Sequence, residues 1–138
     1  MASDDALLDL IASKKHGVLV TLKRDGRPQL SNVAYQFKDG VIRMSVTDDR
    51  AKTKNLRRDP RASFHVTRDD FYAYAVAEGN AELSPVAADP EDATVEELIE
   101  VFRSFAGEHP NWQEFREAMV SDKRLVARLR VDRVYGMA

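Results

Sequence analysis

Residues 17–47 read Gly17-Val-Leu-Val-Thr-Leu-Lys-Arg-Asp-Gly-Arg-Pro-Gln-Leu-Ser-Asn-Val-Ala-Tyr-Gln-Phe-Lys-Asp-Gly-Val-Ile-Arg-Met-Ser-Val-Thr47. Three runs of β-branched and apolar residues are cut by two Asp-Gly pairs, Asp25-Gly26 and Asp39-Gly40. Asp-Gly is a strong hairpin signal, because both positions of a tight hairpin turn favour positive φ. The stretch therefore predicts strands over 18–22, 28–37 and 41–47, joined as a meander. No helix fits between them, which excludes a parallel, doubly wound sheet.

Upstream, Ser3 followed by Asp4 and Asp5 has the form of a helix start, with an oxygen cap and acids at the positive end of the dipole. Leu7, Leu8 and Ile11 give that helix its apolar face, and Gly17 is a candidate left-handed stop. Downstream, residues 62–67 read as a fourth strand and residues 71–83 as a long fifth, with Gly79 marking a bulge. Residues 84–92 read as a loop. Thr94 and Glu97 have capping-box spacing, as do Asn111 and Glu114, so two helices are expected there. Val95, Leu98, Ile99, Phe102 and Phe105 form the apolar stripe of the first, and Trp112, Phe115 and Met119 that of the second. Alternation over 125–131 predicts a last strand. About six antiparallel strands with peripheral helices make a mainly β chain, a small closed or split β-barrel.

With 138 residues the chain is expected to be one domain spanning 1–138. It has no cysteine, which excludes thiol catalysis and Cys-zinc sites and suits a reducing cytoplasm. The first residues lack the pattern of a signal peptide. No apolar run approaches the roughly 18–20 residues of a spanning helix, so no membrane association is expected. His16, His65 and His109 stand far apart, without metal-ligand spacing. The glycines form neither a dinucleotide fingerprint nor a Walker loop, and there is no Gly-x-Ser-x-Gly elbow.

One segment departs from this ordinary composition. Residues 50–61 read Arg-Ala-Lys-Thr-Lys-Asn-Leu-Arg-Arg-Asp-Pro-Arg, six basic residues and one acid on a chain of net charge −2. It follows a strand directly and is bracketed by Asp48, Asp49 and Pro60, so it predicts a short helix. A helix start reinforced by Arg50 and Lys52 suits a phosphate. Solvated surface and a basic groove for single-stranded nucleic acid compete with that reading, though the net acidity opposes a nucleic-acid partner. Tyr72 and Tyr74 alternate on the expected fifth strand. Together they suit stacking on bases, stacking on a flat cofactor, or filling a dimer interface.

Three segments then carry a resemblance: residues 17–33, residues 50–62, and Tyr74-Ala-Val-Ala-Glu-Gly79. In this order and spacing they resemble the actinobacterial deazaflavin-dependent branch of the pyridoxamine-phosphate-oxidase-like, FMN-binding split β-barrel family. The likeness extends over nearly the whole chain, to Val134-Tyr135-Gly136. It implies a homodimer binding coenzyme F420 (or, as the alternative, FMN) in a groove at the dimer interface. F420 is a 5-deazaflavin with a ribityl-phosphate and a lactyl-oligoglutamate tail, an anion set that suits a basic track. By the same resemblance Gln29, Ser31 and Asn32 run along ring and ribityl chain. Ser45 contacts ribityl or phosphate, Arg50 and Lys52 clamp the phosphate, and Asn55, Lys54 and Arg57 assist. Tyr72 and Tyr74, supplied by the partner subunit, shape the pocket over the ring. The implied activity is an F420-dependent reductase passing a hydride from the deazaflavin to an unidentified small organic acceptor. A cofactor carrier without turnover is the alternative. No catalytic residue or metal ligand is implied. A counterpart of the pyridoxamine-phosphate substrate residues is lacking, which argues against that substrate.

Overall fold

The structure, a computed structural model, describes residues 3–138. In chain order the elements are α1 (Asp4–Ser13), β1 (His16–Leu22), β2 (Pro28–Ala34), β3 (Gln36–Lys38), β4 (Val41–Thr47), α2 (Ala51–Arg58), β5 (Arg61–Thr67), β6 (Tyr74–Leu83), α3 (Ala93–Ala106), α4 (Trp112–Ser121) and β7 (Arg124–Met137). The strands form one antiparallel sheet in the order β2-β1-β5-β6-β7-β4-β3. It wraps around Leu19, Ile42, Met44, Phe64, Val66, Leu125 and Leu129, all fully buried, and α1 inserts Leu7, Leu10 and Ile11 among them. This is the split β-barrel that the strand pattern predicts, with seven strands in place of about six.

The expected meander is not formed. The single strand expected over 28–37 breaks at Tyr35, and its two halves lie on opposite edges of the sheet. Tyr35 is buried, and its hydroxyl donates to Ile11 O at 2.5 Å. Its amide donates to Lys15 O at 3.0 Å, and its ring packs edge-on against Phe64 at 4.8 Å. The amide bond continues the β1–β2 register by one last pair, and the buried side chain anchors the chain at α1, from where it passes to the other edge. Nothing in the local sequence signals a turn there, because the break is dictated by a tertiary partner. Burial holds the Tyr35 phenol far above its ordinary range, so it remains a donor.

The two Asp-Gly turns differ. Asp39 and Gly40 both have positive φ, 54° and 75°, as the tight two-residue turn requires. At the first turn only Gly26 does, at 86°, and Lys23 and Arg27 close a three-residue loop instead.

Ser3 caps α1, accepting from Ala6 N at 3.1 Å. Gly17 is no helix stop: it lies within β1, where a Cβ would stand 2.5 Å from the Phe64 ring. The predicted bulge at Gly79 is present, with the β6–β7 register shifting between Glu78 and Gly79. It lets β7 continue to Met137, well past the expected end at 131. The fifth strand starts later than expected, at Tyr74, because Phe71 turns with φ 70°. Asn111 caps α4 as expected, accepting from Glu114 N at 3.1 Å. For α3 the cap is Asp92, which accepts from Val95 N at 2.9 Å, while Thr94 turns inward to Pro85 O. Asp92 outcompetes Thr94 because its carboxylate also accepts from Ala88 N and Asp89 N. No helix among the described residues is long and apolar enough to cross a membrane.

Candidate functional site

α3 and α4 pack on the outer face of β4 and β7, beside the seam where β2 approaches β4. A cavity of about 520 Å³ lies between these helices and the strands. Its strand side is lined by Asn32, Val33 and Ala34 of β2, Ser45 of β4, Lys52 of α2 and Arg124 at the start of β7. Its helix side is lined by Leu98, Phe102 and Phe105 of α3, His109, and Glu114, Phe115, Ala118 and Met119 of α4, with Asp122 beyond.

The strand side is strongly cationic. Ser45 opposes Val126 across the β4–β7 ladder, which places its hydroxyl where Arg124 Nη1 donates to it at 3.2 Å. Lys52 is half-buried one residue into α2. Burial holds its ammonium below the usual lysine range, and the neighbouring Arg50 and Arg124 guanidinium groups depress it further. Arg124 Nε is buried with no hydrogen-bond partner, its nearest carboxylate oxygen on Asp122 standing at 3.9 Å. Arg50 occupies the N-cap position of α2, where no side chain caps the first turn. Buried donors are normally paired. A cluster of unpaired donors at an uncapped helix start is therefore a place for an anion with several acceptor oxygens.

The basic island divides by face. Lys52 enters the cavity. Lys54, Arg57 and Arg58 leave α2 on another side and line an open groove of about 1020 Å³ with Lys23, Arg24 and Gln29. Asn55 is buried there, donating to Thr21 Oγ1 at 3.1 Å and Gln29 Oε1 at 2.9 Å while accepting from Arg58 Nη2 at 3.2 Å. That network ties α2 to the sheet, so the amide of Asn55 is already engaged. The island is also less unpaired than its sequence implies. Asp48 pairs with Arg57, and Asp59 with Arg61 at 2.8 Å. Arg61 belongs to β5 and lies outside the helix. Among the described residues, no carboxylate pairs with Arg50, Lys52 or Lys54.

Of the strand residues expected at a cofactor, Asn32 and Ser45 line the cavity. Alternation on β2 puts Gln29 and Ser31 on the face opposite Asn32, and Gln29 belongs to the groove. Tyr72 and Tyr74 are not paired on one strand. Tyr72 is 80% exposed beside Phe71 on the β5–β6 turn, a turn stiffened by the Arg68–Asp70 ion pair and by Asp70 accepting from Tyr72 N at 3.0 Å. Tyr74 is half-buried and stacks on His65 with ring centroids 5.6 Å apart. Sequence reasoning missed Arg124 and the whole helix side, because the stripes of α3 and α4 look like ordinary core. The residue order of the last strand offered one clue, a basic residue just ahead of the alternating run.

α3 is fastened to the outer face of β4 and β7 by charge. Glu97 accepts from Arg43 Nε at 3.2 Å and from Arg128 Nε at 2.8 Å. Its hydrogen bonds to Arg128, and then the charge of Arg43, hold its carboxyl below the usual range against the opposing effect of burial. Among the described residues no cluster of three or more His, Cys, Asp or Glu side chains could hold a metal ion.

A family model described as pyridoxamine 5'-phosphate oxidase matches residues 3–138. The chain belongs to this family. Solved structures that share the fold are described with different ligands. The conserved hypothetical protein Rv2991 from Mycobacterium tuberculosis is 28% identical, with TM-score 0.77 over 99% of this chain and 85% of that one. An F420 reductase is 21% identical, with TM-score 0.72 over 98% of both chains, and shares the fold. A heme-binding protein from Mycobacterium smegmatis is 26% identical, with TM-score 0.69 over 99% of this chain and 55% of that one. Family membership leaves the ligand to be argued from the cavity itself.

Proposed function

We propose that this chain is an F420-dependent reductase. The observation that carries the reading is Lys52 and Arg124, the latter with an unpartnered buried Nε, lining a cavity that continues onto an aromatic wall, with Arg50 beside Lys52 at the uncapped start of α2. Those donors suit the phosphate of a flavin-type cofactor, with Ser45 and Asn32 as its polar neighbours on the strand side. The fold shared with an F420 reductase is consistent with that choice. The separate groove of Lys23, Arg24, Lys54, Arg57 and Arg58 favours the deazaflavin over FMN, because a polycarboxylate tail needs a second cationic track and FMN has none. Gln29 and Asn55 would then stand beside the tail rather than the ring.

When bound, the deazaflavin would supply a hydride from its C5 carbon, and the chain supplies orientation and electrostatics. Lys52, Arg50 and Arg124 would hold the anion, Glu97 keeps α3 against β4 and β7, and the wall of α3 and α4 would exclude water.

The reading includes a homodimer. On the outer sheet face Asn32, Val18, His65, Val76 and Tyr135 are successive cross-strand neighbours. Leu30 at 62% and Met137 at 63% exposure flank that row. Apolar surface of this kind on a single chain is a common mark of an interface, and a second copy would also cover Phe71, Tyr72 and Tyr74.

Enzyme and carrier are separated by turnover. Protein mixed with reduced F420 and a panel of conjugated ketones and nitroaromatics is expected to regenerate the absorbance of oxidised deazaflavin at a rate proportional to enzyme. Tight binding with no acceleration for any acceptor would reassign the chain as a carrier.

A further inference from the structure

The helix side of the cavity holds more aromatic surface, and more order, than closing a barrel demands. The Phe102 ring meets Phe115 at 5.0 Å, His109 at 5.5 Å, Phe105 at 5.6 Å and Trp112 at 5.9 Å between centroids. His109 sits in the short connection between α3 and α4, yet its ring is held from several sides. Phe102, Phe115 and Trp112 pack around it, and its Nδ1 accepts from Asn111 N at 3.0 Å. With Nδ1 serving as the acceptor, the neutral ring carries its proton on Nε2. Among the described residues Nε2 has no acceptor. His109 is thus an oriented N–H donor on the wall of a cavity whose neighbouring surface is aromatic. Glu114 of α4 lines the same cavity and would repel an anion at this end.

We infer that His109, with the rings of Phe102, Phe105 and Phe115, forms a subsite for an uncharged flat aromatic molecule bearing a hydrogen-bond-accepting oxygen, which Nε2–H receives. This rests on assigning the cationic strand side to the coenzyme, which leaves the helix side for the acceptor. His109 fixes the position of the accepting oxygen, and the rings fix the plane of the molecule.

The test uses two ring-matched probes, 2-acetylnaphthalene and 2-ethylnaphthalene, with affinities measured by calorimetry on the full chain. Trp112 is the only tryptophan, and it touches His109, Phe102 and Phe115, so its fluorescence reports whether a probe occupies this wall. Both probes are expected to perturb Trp112, with the ketone binding more tightly. His109→Phe keeps a ring and removes the donor. It is expected to weaken the ketone about five- to tenfold, the range of one neutral hydrogen bond, and to leave the hydrocarbon unchanged. His109→Gln should recover part of the loss. Equal loss for both probes, or no response of Trp112 to either, would overturn the subsite. Coenzyme F420 is titrated in parallel by its own fluorescence. If it fails to bind wild-type protein, the coenzyme reading falls while the probe result stands by itself. If His109→Phe weakens F420 as much as Lys52→Ala does, the helix wall belongs to the coenzyme and the acceptor subsite is overturned.

Discussion

Replacing Lys52 by alanine is expected to weaken coenzyme F420 binding by roughly 10- to 100-fold, the size of a lost charge-assisted hydrogen bond to phosphate. The fold should not suffer. Lys52 has no carboxylate partner among the described residues and sits between two guanidinium groups that depress its ammonium pKa. Removing it relieves repulsion, so thermal unfolding should be unchanged or slightly later. The wild-type protein should also show a pH limb that the variant lacks. The lysine must be charged to hold an anion, and its pKa lies below the ordinary lysine value, chiefly through burial and then through Arg50 and Arg124. Affinity is therefore full below that lowered pKa. It declines as pH rises through it, earlier than for an exposed lysine. In Lys52→Ala the affinity should be low and flat over the same range. Fluorescence titrations at several pH values check both points. Equal affinity in the two proteins would remove Lys52 from the site.

Gly79→Ala is expected to damage the barrel severely for so small a substitution. A Cβ at this position would fall on the carbonyl oxygen of Arg130 and stand 3.1 Å from its carbon. Both are backbone atoms of the paired strand and cannot rotate aside. The β6–β7 ladder would have to open at the bulge, where Asp132 is the extra residue between the partners of Glu78 and Gly79. The expected cost is about 3 kcal/mol or more, in the class of substitutions that break a special backbone approach. For a chain of this size that lowers Tm by about 10 °C. Gly26→Ala is the control, since nothing lies within 4 Å of its added Cβ and only its φ of +86° opposes the change. It should cost about 1 kcal/mol. Similar melting of both variants would show that the close approach at Gly79 is not needed.

What could be read in advance follows the range of the forces involved. Ser3 and Asn111 were legible as caps because the capping bond is made three residues away. Gly79 was legible because a lone glycine inside a β pattern has few other uses. Tyr35 was not, since its partners Ile11 and Lys15 come from another element and the sequence around it continues a strand. Thr94 lost the cap to Asp92 through amides of the preceding loop, a competition that residue spacing cannot rank.

The site divides in the same way. Charge segregation singled out the basic island as a candidate anion site, and the family resemblance, rather than any local pattern, singled out Ser45. The division of the island did not follow from helical spacing alone. Whether Lys52 or Lys54 enters the cavity depends on where β2 and β4 meet. Arg124 and His109 come from far along the chain and meet Lys52 only through the closure of the sheet and the docking of α3 and α4.

In the proposed reading, the cavity and the adjoining groove together hold a deazaflavin phosphate and its polycarboxylate tail. The most direct measurement is an equilibrium competition between coenzyme F420 and FMN for the wild-type protein, followed by the fluorescence of each. The account predicts that F420 displaces FMN and that its advantage shrinks as salt screens the groove of Lys23, Arg24, Lys54, Arg57 and Arg58. Preference for FMN, at any salt concentration, would contradict it.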